Sequence, residues 1–145
     1  MPKVTYDSNI FIRHKPAHLP AGFYLSIVVL QELLAGAKDS GQTKELEAAY
    51  RYYKKANRVL VPDIEDWRQV GLILNALQRG RKSKKSGLIP KISIAEKYRI
   101  SNDVLIARTA RRAGVAIVTD NVKDFERIKN FCNVRVIKGS DFFRR

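Results

Sequence analysis

Hydrophobic positions along this chain follow two periods, one typical of helices and one typical of buried strands. Residues 101–125 show both, because apolar residues recur at helical spacing up to Gly114 and a short β-branched run follows at residues 115–119. Gly114 is expected to end the helix in the left-handed conformation that glycine favours. Short apolar strands alternate with helices elsewhere as well. The pattern predicts an α/β sandwich built on a mainly parallel sheet.

Another predicted helix carries a recognisable start signal. Asp63, with Asp66 three residues on, resembles a capping box that has Asp in place of Glu. The apolar residues that follow at helical spacing, Trp67, Val70 and Ile73 among them, are expected to face the core.

Acidic residues fall where the strands of such a sheet would end. Asp7 follows a strand candidate at residues 3–6, and Asp120 follows the β-branched run at residues 115–119. In open α/β sheets, ligands collect at the carboxyl ends of the strands. Asp103 is expected to open a helix at that edge, and Glu32 to lie in the first turns of a nearly all-apolar helix. The acids expected to share one pocket are Asp7, Glu32, Asp103, Asp120 and Asp124.

Glu32 admits two interpretations. Its helix is apolar on most sides, so the side chain either faces the interior of the protein or lies at a rim that touches solvent. A lone buried carboxylate is costly unless cations or hydrogen bonds compensate it.

A cluster of carboxylates predicts a metal site. Like charges at close range raise each other's pKa, and a divalent cation relieves that repulsion. An all-oxygen donor set suits Mg²⁺ or Mn²⁺, whereas the single cysteine, Cys132, and the absence of a histidine cluster count against structural zinc.

The charge balance indicates the substrate class. Lys and Arg number 28 against 14 Asp and Glu, a net charge of +14, which favours a polyanionic partner over a merely basic solvated surface. Residues 79–91 are expected to form either a basic loop that binds RNA or a solvated linker. The candidate RNA contacts there are Arg79, Arg81, Lys82, Lys84 and Lys85.

Metal and basic surface together predict phosphodiester hydrolysis. A bound metal polarises the scissile phosphate and lowers the pKa of the attacking water, so that no Ser, Cys or His nucleophile is needed. His14 and His18 lie in a proline-flanked loop and are expected to be structural or surface residues. Thr119 and Ser8, supported by Asn9, are candidates for orienting an acid or a water.

Four ordered motifs resemble a known family. VTYDSNIFI at residues 4–12, VVLQELLAG at 28–36, NDVLIARTARRAG at 102–114 and IVTDNVKDF at 117–125 resemble the motifs of PIN-domain nucleases, specifically VapC-type toxins of toxin–antitoxin pairs. The resemblance implies a PIN-like three-layer sandwich with a short, mainly parallel central sheet flanked by helices. It also implies an Mg²⁺- or Mn²⁺-dependent endoribonuclease, a homodimer, and a cognate antitoxin that inserts into the active site.

The resemblance assigns the acids one by one. Asp7, Glu32 and Asp103 match three acids of the pattern, and Asp120 or Asp124 matches the last. We favour Asp120 as the ligand and Asp124 as an additional one. The predicted catalytic set is Asp7, Glu32, Asp103 and Asp120, and the predicted metal ligands are Asp7, Asp103, Asp120 and Asp124.

The whole chain, residues 1–145, is expected to form a single PIN-like domain. No signal peptide and no apolar run near 18 residues is recognisable, so a cytoplasmic protein without membrane contact is expected. Two alternatives remain: a PIN-type RNA-processing nuclease outside any toxin pair, and a non-catalytic nucleic-acid-binding protein whose acids are structural caps.

Overall fold

The computed structural model describes residues 2–80 and 91–144. Its five strands are all short. They are β1 (Val4–Tyr6), β2 (Leu25–Ser26), β3 (Val59–Leu60), β4 (Ala116–Thr119) and β5 (Val136–Lys138).

Seven α-helices and one 3₁₀ turn, Pro16–His18, connect or flank these strands in the described residues. They are α1 (Ser8–Arg13), α2 (Ile27–Ala35), α3 (Ser40–Lys55), α4 (Ile64–Arg79), α5 (Ile94–Ala113), α6 (Val122–Glu126) and α7 (Gly139–Phe142). None of these helices combines the length and the apolar character that crossing a membrane requires.

The central sheet is parallel, in the order β1-β4-β5. Val4 pairs with Ala116 on one side of β4, and Ile117 pairs with Val136 on the other. β2 and β3 form a second parallel pair, which a bridge between Thr5 and Tyr24 joins to β1. All four residues of β4 are buried, as expected for a central parallel strand covered on both faces. The predicted α/β fold with a short parallel sheet flanked by helices is confirmed.

Helix α5 is the longest element, and it begins earlier than expected. Ser93 caps it by accepting a hydrogen bond from the Glu96 backbone N–H at 3.1 Å, and Gly114 ends it at φ 70° as predicted. Ile100, which is 2% exposed, anchors the additional first turns. Asp103 therefore lies in the middle of a 20-residue helix and does not open one, so the prediction of its place in the helix was wrong.

The capping box of α4 is confirmed, but the expected core position of Trp67 was wrong. Asp63 and Asp66 exchange the two reciprocal bonds at 2.9 Å. Trp67 is 59% exposed, whereas Val70 and Ile73 are buried. The buried stripe of α4 starts instead at Asp66, which lies one turn before Val70 and two turns before Ile73. Arg108 and Arg112 of α5 bind the Asp66 carboxylate and hold it inside.

The C-terminal turn closes over the first strand. Phe142 and Phe143 place their rings 6.0 and 6.1 Å from the ring of Tyr6, which docks this tail against the body of the domain. The same packing brings Gly139, the first residue of α7, against the end of β4.

Candidate active site

Asp7 lies immediately after β1, at the carboxyl edge of the sheet. Its backbone N–H bonds the Val118 carbonyl of β4 at 3.0 Å, which holds the ends of the two strands side by side. Its carboxylate caps α1, with Oδ1 accepting from the Ser8 N–H at 2.9 Å. Oδ2 accepts from the Thr119 hydroxyl at 2.8 Å. Both oxygens of Asp7 are thereby fixed by neighbours in the sequence motifs.

Thr119 and Asn9 form a buried network around Asp7. Thr119 is 0% exposed, and its hydroxyl oxygen also accepts from the Asn9 amide at 3.1 Å and from the Asn121 N–H at 3.0 Å. Asn9 contacts Asp7 Oδ2 at 3.4 Å and accepts from the Asp120 N–H at 3.2 Å. These bonds connect the turn after β1 to the turn after β4. Ser8 takes part through its backbone N–H.

The surroundings of Asp7 disfavour its negative charge. Burial is the largest cause that raises its pKa, and the nearby charges of Asp124 and Asp120 raise it further. The bonds from Thr119 and Ser8 act in the opposite direction.

Asp103 faces the same centre from α5. Its pKa is raised to about 7, first by burial and then by the charges of Asp7 and Asp124. Arg127 opposes this rise, since its Nη2 lies 3.1 Å from Asp103 Oδ2. Asp103 is 8% exposed, so this carboxylate is shielded from bulk water.

Glu32 reaches the centre from α2. Burial raises its pKa most, and the charge of Asp7 adds to the rise. Within the described residues, Glu32 Oε1 is buried without a hydrogen-bond partner, and so is Nδ2 of Asn102. The Asn102 amide partly offsets the pKa rise of Glu32 without reaching good hydrogen-bond geometry. Glu32 is half-buried and faces the other acids, which favours the inward interpretation of this residue over a rim position.

Asp120 and Asp124 differ in their surroundings. Asp120 Oδ1 forms an ion pair with Arg13 at 2.8 Å, at the end of α1. Asp124 accepts a bond from the Asn121 amide at 2.8 Å, and its charge raises the pKa of both Asp7 and Asp103. The charge of Asp124 thus raises the pKa of two buried acids, whereas Asp120 raises that of one, Asp7, and pairs with a cation of its own.

The sequence profile of the PIN domain matches residues 4–130 of this chain. The chain belongs to the PIN-domain family. The resemblance of the four motifs to this family is therefore confirmed. PIN domains are nucleases. A comparison with curated proteins finds no match.

Solved structures with the same fold include three VapBC complexes. One chain of DNA-bound VapBC from Salmonella typhimurium is 25% identical, with a TM-score of 0.56 over 96% of this chain and 99% of that chain. VapBC-1 from nontypeable Haemophilus influenzae gives 20% identity and a TM-score of 0.55 over 94% and 98%. VapBC2 from Rickettsia felis, bound to a promoter DNA fragment, gives 21% and 0.53 over 93% and 97%.

The acids of this PIN domain suit a divalent cation by charge and donor type. Within residues 2–80 and 91–144, no three Asp, Glu, His or Cys side chains stand close enough to hold a metal ion without moving. The pKa values of Asp7, Glu32 and Asp103 are nevertheless all raised in part by other acids, and Glu32 Oε1 has no partner among the described atoms. Carboxylate oxygens are the ligands that Mg²⁺ and Mn²⁺ prefer, and such an ion would offset this repulsion.

Three site residues escaped the sequence analysis: Arg13, Arg127 and Asn102. Arg13 lies 107 residues from its partner Asp120, and Arg127 lies 24 residues from Asp103, so only the fold brings each pair together. Asn102 had a signal, because it precedes Asp103 within a quoted motif.

Only the ends of the predicted basic loop lie within the described residues. Arg79 is exposed at the end of α4. Arg81, Lys82, Lys84 and Lys85 lie outside the described residues, and their contact with RNA stays a prediction.

Proposed function

We propose that this PIN domain is an Mg²⁺- or Mn²⁺-dependent endoribonuclease and the toxin of a toxin–antitoxin pair. The observation that carries the proposal is that Asp7, Glu32 and Asp103 meet at the carboxyl edge of a parallel sheet, where burial and the charges of neighbouring acids raise the pKa of all three. Hydrolytic chemistry of this kind needs a cluster of acids and a cation, and no side-chain nucleophile.

The residues divide into holding and positioning roles. Asp7, Asp103 and Asp124 would hold the cation, and Asp120, which pairs with Arg13, would be an additional ligand. The ion, when bound, supplies charge to the scissile phosphate and lowers the pKa of a water. Thr119 and Asn9 keep Asp7 Oδ2 in one orientation. Glu32 Oε1, for which no hydrogen-bond partner is found within residues 2–80 and 91–144, is the candidate to take the proton of the attacking water.

RNA as the substrate is supported by the charge of the chain and by the motif resemblance. A net charge of +14 favours a polyanion but does not distinguish RNA from DNA. The VapC-type motifs supply the preference for RNA, and they also support an antitoxin partner and a homodimer. The VapBC complexes of similar fold agree with the antitoxin proposal.

A divalent-ion-dependent cleavage assay tests the proposal. Purified protein is incubated with total RNA, and separately with single-stranded DNA, in Mg²⁺, Mn²⁺ or EDTA, and cut sites are mapped. We expect metal-dependent cleavage of RNA that Asp7→Asn and Asp103→Asn each abolish while the circular dichroism spectrum is unchanged. Cleavage that persists in the double variant would overturn the assignment of the site.

Calorimetry with Mn²⁺ separates the alternatives and the two competing acids. A pure nucleic-acid-binding protein would show no metal binding that depends on Asp7 and Asp103. We expect Asp124→Asn to weaken Mn²⁺ binding more than Asp120→Asn, because Asp120 already pairs with Arg13.

The toxin role requires that expression of the chain arrests growth and that co-expression of a neighbouring small reading frame relieves this arrest. An RNA-processing nuclease outside a toxin pair would show cleavage without this relief.

A further inference from the structure

A second pocket, of about 320 Å³, opens at the edge of the sheet opposite to the acids. Three basic residues line it, and we call it the basic pocket: Lys3 just before β1, Arg135 just before β5, and Arg111 near the end of α5. Because the three strands of this sheet are parallel, all their amino ends meet at this edge. The chain topology therefore concentrates positive charge there.

The three cations of the basic pocket are exposed and have no acidic partner. No Asp or Glu is among the residues that line the pocket, and none of the three forms an ion pair within residues 2–80 and 91–144. Arg108 and Arg112, on either side of Arg111 in sequence, both bind Asp66.

Backbone bonds hold the pocket's cations around the start of β4. The Ala116 N–H donates to the Lys3 carbonyl at 2.9 Å, and the Ile117 N–H donates to the Arg135 carbonyl at 2.9 Å. Lys3 and Arg135 are thus fixed on opposite sides of one central strand. Gly114, at φ 70°, turns the chain from Arg111 into that strand. Lys3, Arg111 and Arg135 thus line one hollow, and their positive charge suits it to an anion.

We propose that the basic pocket binds a backbone phosphate of the RNA substrate, away from the cleaved bond. This inference rests on the proposed function and adds a second contact site to it. β4, with four residues, separates the two edges of the sheet by about 13 Å at roughly 3.3 Å per residue. A phosphate in the basic pocket is therefore distinct from the one that is cleaved, and it contributes affinity and not chemistry.

Equilibrium binding of a labelled RNA stem-loop to the full chain tests the proposal, with Asp7→Asn as the parent to prevent cleavage. In this parent, Arg111→Gln combined with Arg135→Gln is expected to weaken binding about tenfold and to lower the log–log salt slope by about 1, the change for one lost phosphate contact. The matched control is Lys44→Gln combined with Arg51→Gln on α3, which removes the same charge from exposed positions outside the pocket. The control is expected to change affinity much less. Thermal unfolding confirms that each variant is folded.

Lys3 provides an independent readout. We expect the stem-loop to protect Lys3 from acetylation, measured by mass spectrometry, while Lys44 remains reactive. Equal weakening by the two charge-matched double variants, or equal acetylation of the two lysines, would overturn the basic pocket and leave the nuclease proposal intact. Failure of the Asp7→Asn parent to bind RNA, together with failure of the unmodified chain to cleave it, would overturn both.

Discussion

The carboxylate of Asp103 lies 3.1 Å from the guanidinium of Arg127, yet its pKa is raised to about 7. Burial is the main cause, and the charges of Asp7 and Asp124 add to it. One guanidinium therefore does not balance the charge of the acids around Asp103. In the absence of a divalent cation, folding makes this carboxyl group hold its proton up to near-neutral pH.

The first prediction concerns the pH dependence of stability without metal. We expect the protein in EDTA to be less stable at pH 8 than at pH 5. Between an unfolded pKa of about 3.9 and the folded value, the folded state binds more protons, so the free energy of unfolding falls as pH rises through this window. The raised pKa values of Asp7 and Glu32 act with the same sign. Urea unfolding across pH 4 to 8 measures the effect.

Asp103→Asn is the control for that measurement. Asparagine keeps the shape of the side chain but cannot ionise, so the variant should lose much less stability between pH 5 and pH 8. A pH profile that this substitution leaves unchanged would show that Asp103 does not hold the raised pKa.

The second prediction concerns the hydroxyl of Thr119, which donates to Asp7 Oδ2 at 2.8 Å. Thr119→Val removes that donor with little change in volume. We expect kcat to fall about tenfold or more, because a hydrogen bond to a charged group contributes about 1.5–3 kcal/mol. This bond also lowers the pKa of Asp7, so the acidic limb of the pH–rate profile should move to higher pH.

Thr119→Ser keeps the hydroxyl and should retain most of the activity and the original pH profile. A purely structural role for Thr119 would reduce the amount of folded protein but leave the position of the acidic limb where it is. An unmoved limb in Thr119→Val would therefore contradict the positioning role.

The third prediction concerns Asp66, a fully buried carboxylate held by Arg108 and Arg112. Burial alone would raise its pKa, but the bonds from Arg112, from the Asp63 backbone and from Arg108 hold that pKa well below its usual range. Asp66→Ala removes the ion-pair partner of Arg108, leaves Arg112 the longer ion pair with Asp63 at 3.4 Å, and breaks the capping box. We expect a loss of about 3 kcal/mol or more in the free energy of unfolding, measured in urea.

Glu65→Gln provides the comparison for Asp66→Ala. Glu65 also pairs with an arginine, Arg68 at 2.7 Å, but both side chains are exposed to solvent. Exposed ion pairs contribute little, so this neighbouring substitution should leave stability nearly unchanged. Similar losses in the two variants would show that burial does not make the Asp66 cluster strong.

Local sequence signals were sufficient where one short segment determines the outcome. Gly114 ends α5 in the left-handed conformation, and Asp7 follows β1, because a helix stop and a strand end depend on neighbouring residues. The start of α5 was missed, since Ser93 caps the helix eight residues before the segment that showed the clearest periodicity. Serine is common in loops as well as at N-caps, so the presence of Ser93 alone did not mark the helix start.

Contacts between distant segments were beyond the sequence. The acids could be assigned to one edge of the sheet because parallel strands gather their carboxyl ends. Nothing local, however, distinguishes Asp120, which pairs with Arg13, from Asp124, which acts on two buried acids. Trp67 was misplaced for the same reason, because the orientation of α4 depends on the bonds between Asp66 and helix α5.

The fourth prediction concerns Gly139, where the C-terminal turn meets the pair formed by Arg13 and Asp120. A methyl group added at Gly139 would overlap Asp120 Oδ1 and would lie 3.0 Å from Cδ1 of Ile10. Gly139→Ala must therefore displace the Asp120 carboxylate and weaken its ion pair. We expect a loss of about 1–3 kcal/mol in stability, as is usual when a well-packed position is overfilled.

Gly71→Ala in α4 separates this crowding from the ordinary effect of replacing glycine. A methyl group at Gly71 would meet no described atom within 4 Å apart from its own helix backbone, so alanine should stabilise the helix there by about 0.5–1 kcal/mol. Opposite signs for the two substitutions in urea unfolding are the expected result. Combining Gly139→Ala with Asp120→Ala removes the carboxylate that the new methyl group would overlap, so the added loss caused by Gly139→Ala should be smaller in that background. An undiminished loss would show that Ile10, and not Asp120, limits the space at Gly139.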